Sequence, residues 1–285
     1  MAVEKLKLIV TVVRDRLMPS RNNWYAGNFK SWEDACRDCQ QGYGDDVILD
    51  RVRAATREVV AGRAAFERDS VLFQEPEYNW PLLTLLFRQQ AAMPGMVTVL
   101  DFGGALGSTY HQHRKWIKDI PGLRWCVVEQ AHFVTCGREE FETDSLKFYY
   151  TLDECLAAER VTIALFSSVL PYLPDPWPTL ATVSAARVPC VMIDRTHVFN
   201  EKGSKCRIAI QHVPAAIYRA TYPVRIFQFD QFVSALGPKY SMVTALAGCD
   251  EPFVLCNPWQ VGSCRGFIYE VKNERIFETP AETGV

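Results

Sequence analysis

The chain has 285 residues, of which 48% are hydrophobic, and its formal net charge is -2. A disordered protein has fewer apolar residues and a larger net charge, and a disulfide-stabilised miniprotein is much shorter. A protein that binds nucleic acid through its overall charge would be basic, so we expect no nucleic-acid partner. The length suits one large domain, or one domain with an extension.

The sequence of residues 1–95 predicts an N-terminal extension, or cap, that consists of helices and loops. Within it, 6–17 place apolar side chains on one helical face with basic residues beside them. This pattern is typical of a helix that docks on its own protein or lies on a membrane surface. Ser31 is predicted to cap another helix. The remaining predictions are an aromatic, turn-rich loop at 22–30 and helices at 50–65 and 80–90.

Ten cysteines raise the question of the cellular compartment. Several lie inside apolar runs, where a free thiol packs as a small hydrophobic group. We recognise no secretory signal, so we expect reduced thiols and a cytoplasmic protein. Cys36 and Cys39 have the spacing of half a zinc site, but no further ligands are evident nearby, so no metal site is expected. No stretch is apolar for long enough to span a membrane.

From residue 96 the pattern changes to short apolar runs that alternate with helical segments. Such alternation predicts a parallel β-sheet with helices on both faces. We therefore assign 96–285 to one α/β domain, with a long irregular insertion at 197–228. The predicted strands are 96–102, 124–129, 147–150, 161–167, 190–194, 240–247 and 265–271, and the predicted helices are 109–120, 132–141, 152–159, 175–187 and 230–236.

A glycine-rich loop follows the first predicted strand of this domain. Gly103, Gly104 and Gly107 lie between that strand and a predicted helix, at the edge where open α/β sheets bind ligands. A dinucleotide fingerprint would need a glycine where Phe102 stands. Asp101 lies two residues before the first glycine, and a carboxylate there would repel a pyrophosphate. It suits a cationic ligand such as S-adenosylmethionine (SAM).

A second carboxylate, Glu129, ends the next predicted strand. A carboxylate at that place can accept hydrogen bonds from both ribose hydroxyls of a nucleoside cofactor. SAM and NAD share this feature, so Glu129 indicates a nucleoside without separating the two. The alternative for Asp101 and Glu129 is that they end their strands in solvent.

The ordered set of motifs resembles a known family. The segment 99–107, with the sequence VLDFGGALG, is similar to motif I of the Rossmann-like SAM-dependent methyltransferases. More narrowly, the chain resembles a little-characterised bacterial methyltransferase family associated with surface-polysaccharide and lipopolysaccharide gene clusters. His197 and Pro171 depart from its pattern, so the substrate is not carried over. The other segments that resemble this family are 24–35, 125–129, 166–176, 193–196 and 222–223.

The resemblance implies a three-layer fold with a seven-stranded, mostly parallel sheet whose last strand is antiparallel. It also implies that SAM is the cofactor, with S-adenosylhomocysteine (SAH) as its product. The expected reaction is methyl transfer to oxygen or nitrogen of a sugar or glycan intermediate. The implied cofactor contacts are Asp101, Gly103, Gly104, Gly107, Glu129, Gln130, Thr151, Leu152, Ser167 and Ser168.

Methyl transfer to an oxygen or an amine can use a general base. His197, just past the strand predicted at 190–194, is the first candidate, and Asp194 at the end of that strand is the second. An NAD(P)-dependent oxidoreductase and a non-catalytic protein with a degenerate SAM pocket are the alternative functions. A homodimer is left open. The candidate acceptor contacts are His111, Arg195, Tyr218 and Tyr222.

Overall fold

A computed structural model describes residues 24–39, 46–201, 203–213, 220–247, 253–256 and 258–272. The helix predicted at 6–17 lies outside these residues. The helices are α1 (Trp32–Asp38), α2 (Asp46–Val60), α3 (Trp80–Ala92), α4 (Ser108–Ile117), α5 (Ala131–Glu140), α6 (Leu152–Ala158), α7 (Trp177–Ala185) and α8 (Asp230–Val233), with a 3-10 turn at Leu170–Tyr172. The strands are β1 (Trp24–Phe29), β2 (Phe66–Arg68), β3 (Val71–Phe73), β4 (Thr98–Phe102), β5 (Arg124–Val128), β6 (Leu146–Tyr149), β7 (Ile163–Ser167), β8 (Cys190–Phe199), β9 (Arg207–Val213), β10 (Ala220–Ile226), β11 (Tyr240–Ala247), β12 (Phe253–Cys256) and β13 (Gln260–Val271).

Five parallel strands form the centre of the sheet, in the order β6-β5-β4-β7-β8. β4, the first of these five strands along the chain, lies in the middle, and the later strands are added outward on both sides. This is the order of a Rossmann-like, doubly wound sheet. β13 then pairs antiparallel with β8, and β11 pairs antiparallel with β13. These seven strands confirm the predicted α/β fold and its antiparallel last strand.

Two hydrophobic cores cover the two faces of this sheet, because successive residues of a strand point to opposite sides. Val99 belongs to the core packed under α3, α4 and α5. Its neighbour Leu100 belongs to the other core, which contains side chains of α6, α7 and α8. The strands are buried on both faces, as the near-continuous apolar runs predicted. Among the described residues, no helix is long and apolar enough to cross a membrane.

The sheet is larger than the seven strands expected, with eleven strands among the described residues. β12, β1, β9 and β10 continue it from the first residues of β13. The backbone N–H of Phe227 donates to the carbonyl of His197 at 2.9 Å, and that of Phe199 donates to Phe227 at 3.0 Å. These bonds join the end of β10 to β8. The strands β8, β13, β12, β1, β9 and β10 therefore form a closed ring, which we name the barrel.

The barrel corrects two predictions from the sequence. The prediction of a loop at 22–30 is wrong, because Trp24–Phe29 forms β1, which lies between β9 and β12. The prediction of irregular backbone at 197–228 is also wrong, because the end of β8 and the strands β9 and β10 lie there. Gly27 lies within β1 and Pro223 within β10, and both residue types are uncommon inside strands. A proline is tolerated in β10 because, among the described strands, this one pairs along its length with β9 alone.

We expect Gly137→Ala to destabilise the fold. A Cβ at Gly137 of α5 would lie 2.6 Å from two ring atoms of Phe148, and that ring is fully buried. The ring or the helix would have to shift, which costs about 1–3 kcal/mol of unfolding free energy. Urea unfolding measures the loss. The exposed Glu139→Ala on the same helix should change stability by less than about 0.5 kcal/mol, and equal stability of both variants would contradict this packing.

Candidate functional site

The glycine loop runs from β4 into α4, as the sequence predicted. Gly103 and Gly107 have φ angles of 73° and 86°, which glycine adopts without strain. A Cβ at Gly103 would lie 2.5 Å from Cγ2 of Val169, so the loop also packs too tightly for a side chain there. Gly107 caps α4 without a side-chain hydrogen bond. The first N–H groups of the helix therefore lack a side-chain cap at this loop, where an anion or a polar ligand group is favoured.

Asp101 lies beneath this loop and is only 1% exposed. The indole N–H of Trp125 donates to its Oδ2 at 3.0 Å. Gly104 is required here, because a Cβ would lie 2.7 Å from the Asp101 carboxylate. Burial raises the pKa of Asp101 from its ordinary 3.8 to about 7, against the stabilising hydrogen bond from Trp125. The nearby charge of Glu129 raises this pKa further. The site therefore disfavours the carboxylate charge until a cation approaches.

Glu129 follows β5, on the strand next to that of Asp101. Its Oε2 accepts a hydrogen bond from the backbone N–H of Gln130 at 2.6 Å. Burial raises the pKa of Glu129, while backbone N–H groups of Gln130 and Ala105 lower it. Gln130 itself is an exposed residue that precedes α5. The two predicted carboxylates thus lie at the carboxyl ends of adjacent parallel strands, as expected.

The residues predicted after β6 form the start of α6. Thr151 caps this helix, with its Oγ1 accepting from the N–H of Glu154 at 3.1 Å. Leu152 is half-buried and packs against the core on that face. The exposed ring of Tyr150 lies under the guanidinium of Arg138, whose Cζ is 4.6 Å from the ring centroid. Thr151 therefore has a structural role that would accompany any ligand contact.

Three of the six described non-glycine residues with a positive φ lie at the same edge of the sheet. Ala105, Ser168 and Arg195 have φ angles of 51°, 57° and 47°, in the left-handed region that disfavours residues with a Cβ. They follow β4 and β7 or lie within β8. Each such residue costs about 1–3 kcal/mol, and strain of this kind clusters at functional sites. The strain is therefore independent support for a ligand site at the ends of these strands.

A bulge directs Asp194 and Arg195 out of the ladder between β8 and β13. Ile193 and Thr196 pair with Phe267 and Arg265, so two residues of β8 oppose one residue of β13. Bulges of this kind re-aim side chains next to active sites. Asp194 and Arg195 are both half-buried.

Asp194 is held in place by neighbouring polar groups. Its Oδ2 accepts a hydrogen bond from Nδ2 of Asn79 at 2.8 Å. Its backbone carbonyl accepts from the N–H of Ser168 at 3.0 Å. Asn79 also caps α3, with its Oδ1 accepting from Leu82 N–H at 3.1 Å. The ends of β7 and β8 thus bring Ser167, Ser168, Asp194 and Arg195 together.

His197 lies inside the barrel and is largely buried. Its Nε2 is 2.8 Å from the hydroxyl oxygen of Tyr25. The rings of Phe253 and Tyr172 pack edge-on against it, with centroids at 5.1 and 6.1 Å. The Tyr172 hydroxyl in turn donates to Oε1 of Gln211 at 2.6 Å. His197 therefore belongs to a polar cluster within the barrel that the sequence did not predict.

The predicted acceptor contacts are only partly brought to this edge. His111 packs against Tyr110 and Phe141 and makes no described contact with Asp194 or His197. Burial lowers the pKa of His111 to about 4. Tyr222 is buried in β10, in the core shared with α3. Tyr218 lies outside the described residues.

Two arginines of the segment 197–228, Arg207 and Arg225, have structural contacts. Arg207 donates to the carbonyl of Pro258 at 2.9 Å. Arg225 donates to the carbonyl of Pro174 at 2.5 Å. Arg195 lies close enough to Asp101 for its charge to lower the pKa of that carboxyl. Among the described residues, no cluster of histidine, cysteine and carboxylate side chains could hold a metal ion.

Glu67 is a site residue that the sequence analysis missed. It lies on β2, is largely buried, and accepts hydrogen bonds from the hydroxyl of Ser108 and from the N–H of Ser70, the latter at 3.0 Å. The hairpin β2–β3 thus lies against the first residue of α4, beside the glycine loop. Asp69 and Ser70 form its tight turn, with φ angles of 52° and 67°. The sequence marks this hairpin weakly, because β2 reads Phe-Glu-Arg and the turn lacks the glycine that is usual in two-residue hairpins.

Neither a protein-family model nor a curated protein matches the sequence. Solved structures with a partial likeness include the N-terminal domain of EvdMO1 in the presence of SAH and D-fucose, with 15% identity, a TM-score of 0.46, and coverage of 79% of this chain and 97% of that one. CalS10, an amino pentose methyltransferase from Micromonospora echinaspora with SAM bound, has 10% identity, a TM-score of 0.43, and coverage of 70% and 93%. The glycopeptide N-methyltransferase MtfA complexed with sinefungin has 14% identity, a TM-score of 0.44, and coverage of 65% and 85%. Likeness at this level concerns the fold alone.

Glu67 should make stability depend on pH. Burial raises its pKa from the ordinary 4.5 to about 7, so between these values the folded protein holds a proton that the unfolded chain has released. The free energy of unfolding therefore falls as pH rises through this window. Glu67→Gln removes the effect. As the pH rises from 5 to 8, we expect the unfolding free energy of the variant to rise by about 2 kcal/mol relative to that of the parent.

Urea unfolding at both pH values measures this difference. The control is Glu75→Gln, an exposed carboxylate a few residues further along the chain, which should show the same pH dependence as the parent. A Glu67→Gln variant whose stability relative to the parent is equal at pH 5 and pH 8 would show that Glu67 is not buried as described.

Proposed function

We propose that the chain is a SAM-dependent methyltransferase whose acceptor is a sugar or glycan. The observation that carries the proposal is the pair of carboxylates, Asp101 and Glu129, on either side of a tightly folded glycine loop. Burial raises the pKa of both carboxyls. Their ionised forms are therefore unfavourable, and a cation placed between them would stabilise these charges. A pyrophosphate would instead add repulsion, which disfavours a dinucleotide.

The residues around the loop fit the parts of this cofactor. Glu129 has two oxygens that can accept from a ribose diol, and Asp101 would balance the positive charge of the methionine portion. Thr151 and Leu152 lie at the end of β6, where the adenine would be flanked. Ser167 and Ser168 lie at the end of β7, where they would adjoin the methionine moiety. When bound, SAM supplies a methyl group that its positively charged sulfur makes electrophilic.

The proton of the acceptor would pass to one of two groups. Asp194 is half-buried and held by the amide of Asn79. His197 is buried and held by Tyr25. The greater exposure of Asp194 and its place at the strained edge favour it as the group that meets the acceptor. Much of the rate can come from holding the reacting atoms close and aligned.

Arg195, which lies beside Asp194 in the bulge of β8, supports an acceptor that carries a carboxylate or phosphate, such as an acidic or phosphorylated sugar. The sequence resemblance to a family associated with surface-polysaccharide gene clusters supports the same choice. The nine cysteines within the described residues are free thiols, which supports a cytoplasmic setting as part of the proposal.

Calorimetric titration with SAM and SAH tests the cofactor. We expect the parent to bind both, and Glu129→Gln to weaken SAH binding by about tenfold to a hundredfold. A hydrogen bond to a charged group contributes about 1.5–3 kcal/mol, and the variant loses the charge while keeping its shape. Asp101→Asn should weaken SAM, which carries the extra sulfonium charge, at least as much as SAH.

The matched control is Glu142→Gln, a carboxylate paired with Lys147 away from the loop, and its affinities should equal those of the parent. A parent protein that binds neither SAM nor SAH would exclude the proposal. NAD bound in place of SAM would favour the oxidoreductase.

A further inference from the structure

A groove of about 590 Å³ lies on the outer face of the barrel. β1, β9 and β12 form its floor, with the end of α1 and the turn before β13 at its sides. Side chains alternate along β1, so Tyr25 points into the barrel while Trp24 and Ala26 line the groove. The groove is therefore separated from His197 by the thickness of the sheet, and it is not part of the site at the glycine loop. Its volume falls within the range of about 300–1,000 Å³ that is usual for small-molecule sites.

Two tryptophans give this groove its chemistry. Trp24 stacks on His212 of the neighbouring strand, with ring centroids 3.6 Å apart and planes at 4°. Trp259 lies in the turn before β13 and is 53% exposed. The buried Arg207 donates to the carbonyl of Pro258 and to the side chain of Gln260, the residues on either side of Trp259. These bonds hold the backbone that carries the exposed indole, which lowers the entropy cost of ordering that backbone around a ligand.

The charge of the groove selects among ligands that stack on aromatic rings. Asp38 contributes an exposed carboxylate, and none of the described residues that line the groove is a lysine or an arginine. A nucleic acid needs cations to neutralise its phosphates, so this lining disfavours it. A proline-rich peptide presents carbonyl acceptors and few donors, and these do not match a carboxylate.

A sugar ring matches both the exposed indole of Trp259 and the carboxylate of Asp38. One face of a pyranose presents C–H groups, which pack on an indole, while its edge carries hydroxyl groups that donate to a carboxylate. We propose that this groove binds a sugar residue of a glycan, stacked on Trp259 with a hydroxyl donating to Asp38. The proposal does not depend on the cofactor. Under the proposed function, the groove would hold a longer acceptor at a point away from the transferred methyl group.

A glycan microarray of neutral and acidic oligosaccharides tests the proposal with the full chain. We expect the parent to bind one or more glycans, and Trp259→Ala to lose about tenfold or more in affinity for them when measured by calorimetry. Asp38→Asn should also weaken binding. The matched control is Trp80→Ala, which removes a tryptophan of similar exposure, 56%, outside the groove. It should bind like the parent.

The outcomes separate this proposal from the methyltransferase proposal. SAH titration of Trp259→Ala should match that of the parent, which shows that the variant is folded and that the glycine-loop site is unaffected. Glycan binding that survives both Trp259→Ala and Asp38→Asn would place the sugar elsewhere and overturn the proposal. A parent that binds no glycan on the array, or that binds a polyproline peptide through Trp259 instead, would also overturn it.

Discussion

The antiparallel pairing of β8 with β13 is the constraint on which the rest of the structure depends. It extends along β8 from Cys190 to Phe199. The first half of β8 also pairs with β7 in the parallel sheet, and the second half meets β10 in the barrel. One continuous strand pair therefore belongs to both parts of the molecule. Asp194 and Arg195 lie in the bulge where β8 passes from one part to the other.

The candidate site combines features that are unfavourable without a ligand. Asp101 and Glu129 are carboxylates whose burial opposes their charge, and Ala105, Ser168 and Arg195 hold strained backbone angles. The surrounding cores on both faces of the sheet supply the stability that offsets these costs. Such a division, with strain at the strand ends and close packing beneath, is typical of a site that is preorganised for a ligand.

The central sheet could be predicted because each of its strands is a short apolar run followed by a helix. Asp101, Glu129 and the glycines could be located for the same reason, since strand ends in such a sheet meet at one edge. The barrel could not be predicted in this way. Its strands come from residues far apart in the chain, and their pairing depends on contacts that leave no local pattern. Glu67 was missed because its hairpin is only a few residues long, and its burial depends on Ser108 of another element.

The place of β1 has a consequence for how the chain folds. This strand begins at Trp24, yet its parallel partner is β12, with Tyr25 opposite Leu255. During synthesis, this strand must wait for β9 before its antiparallel neighbour exists, and for β12 before its parallel neighbour exists. Pairings between residues so distant in sequence form slowly, because the connecting chain must first be ordered. The doubly wound sheet can therefore assemble early, while closure of the barrel is a late step during which the edges of β9 and β12 stay exposed to other chains.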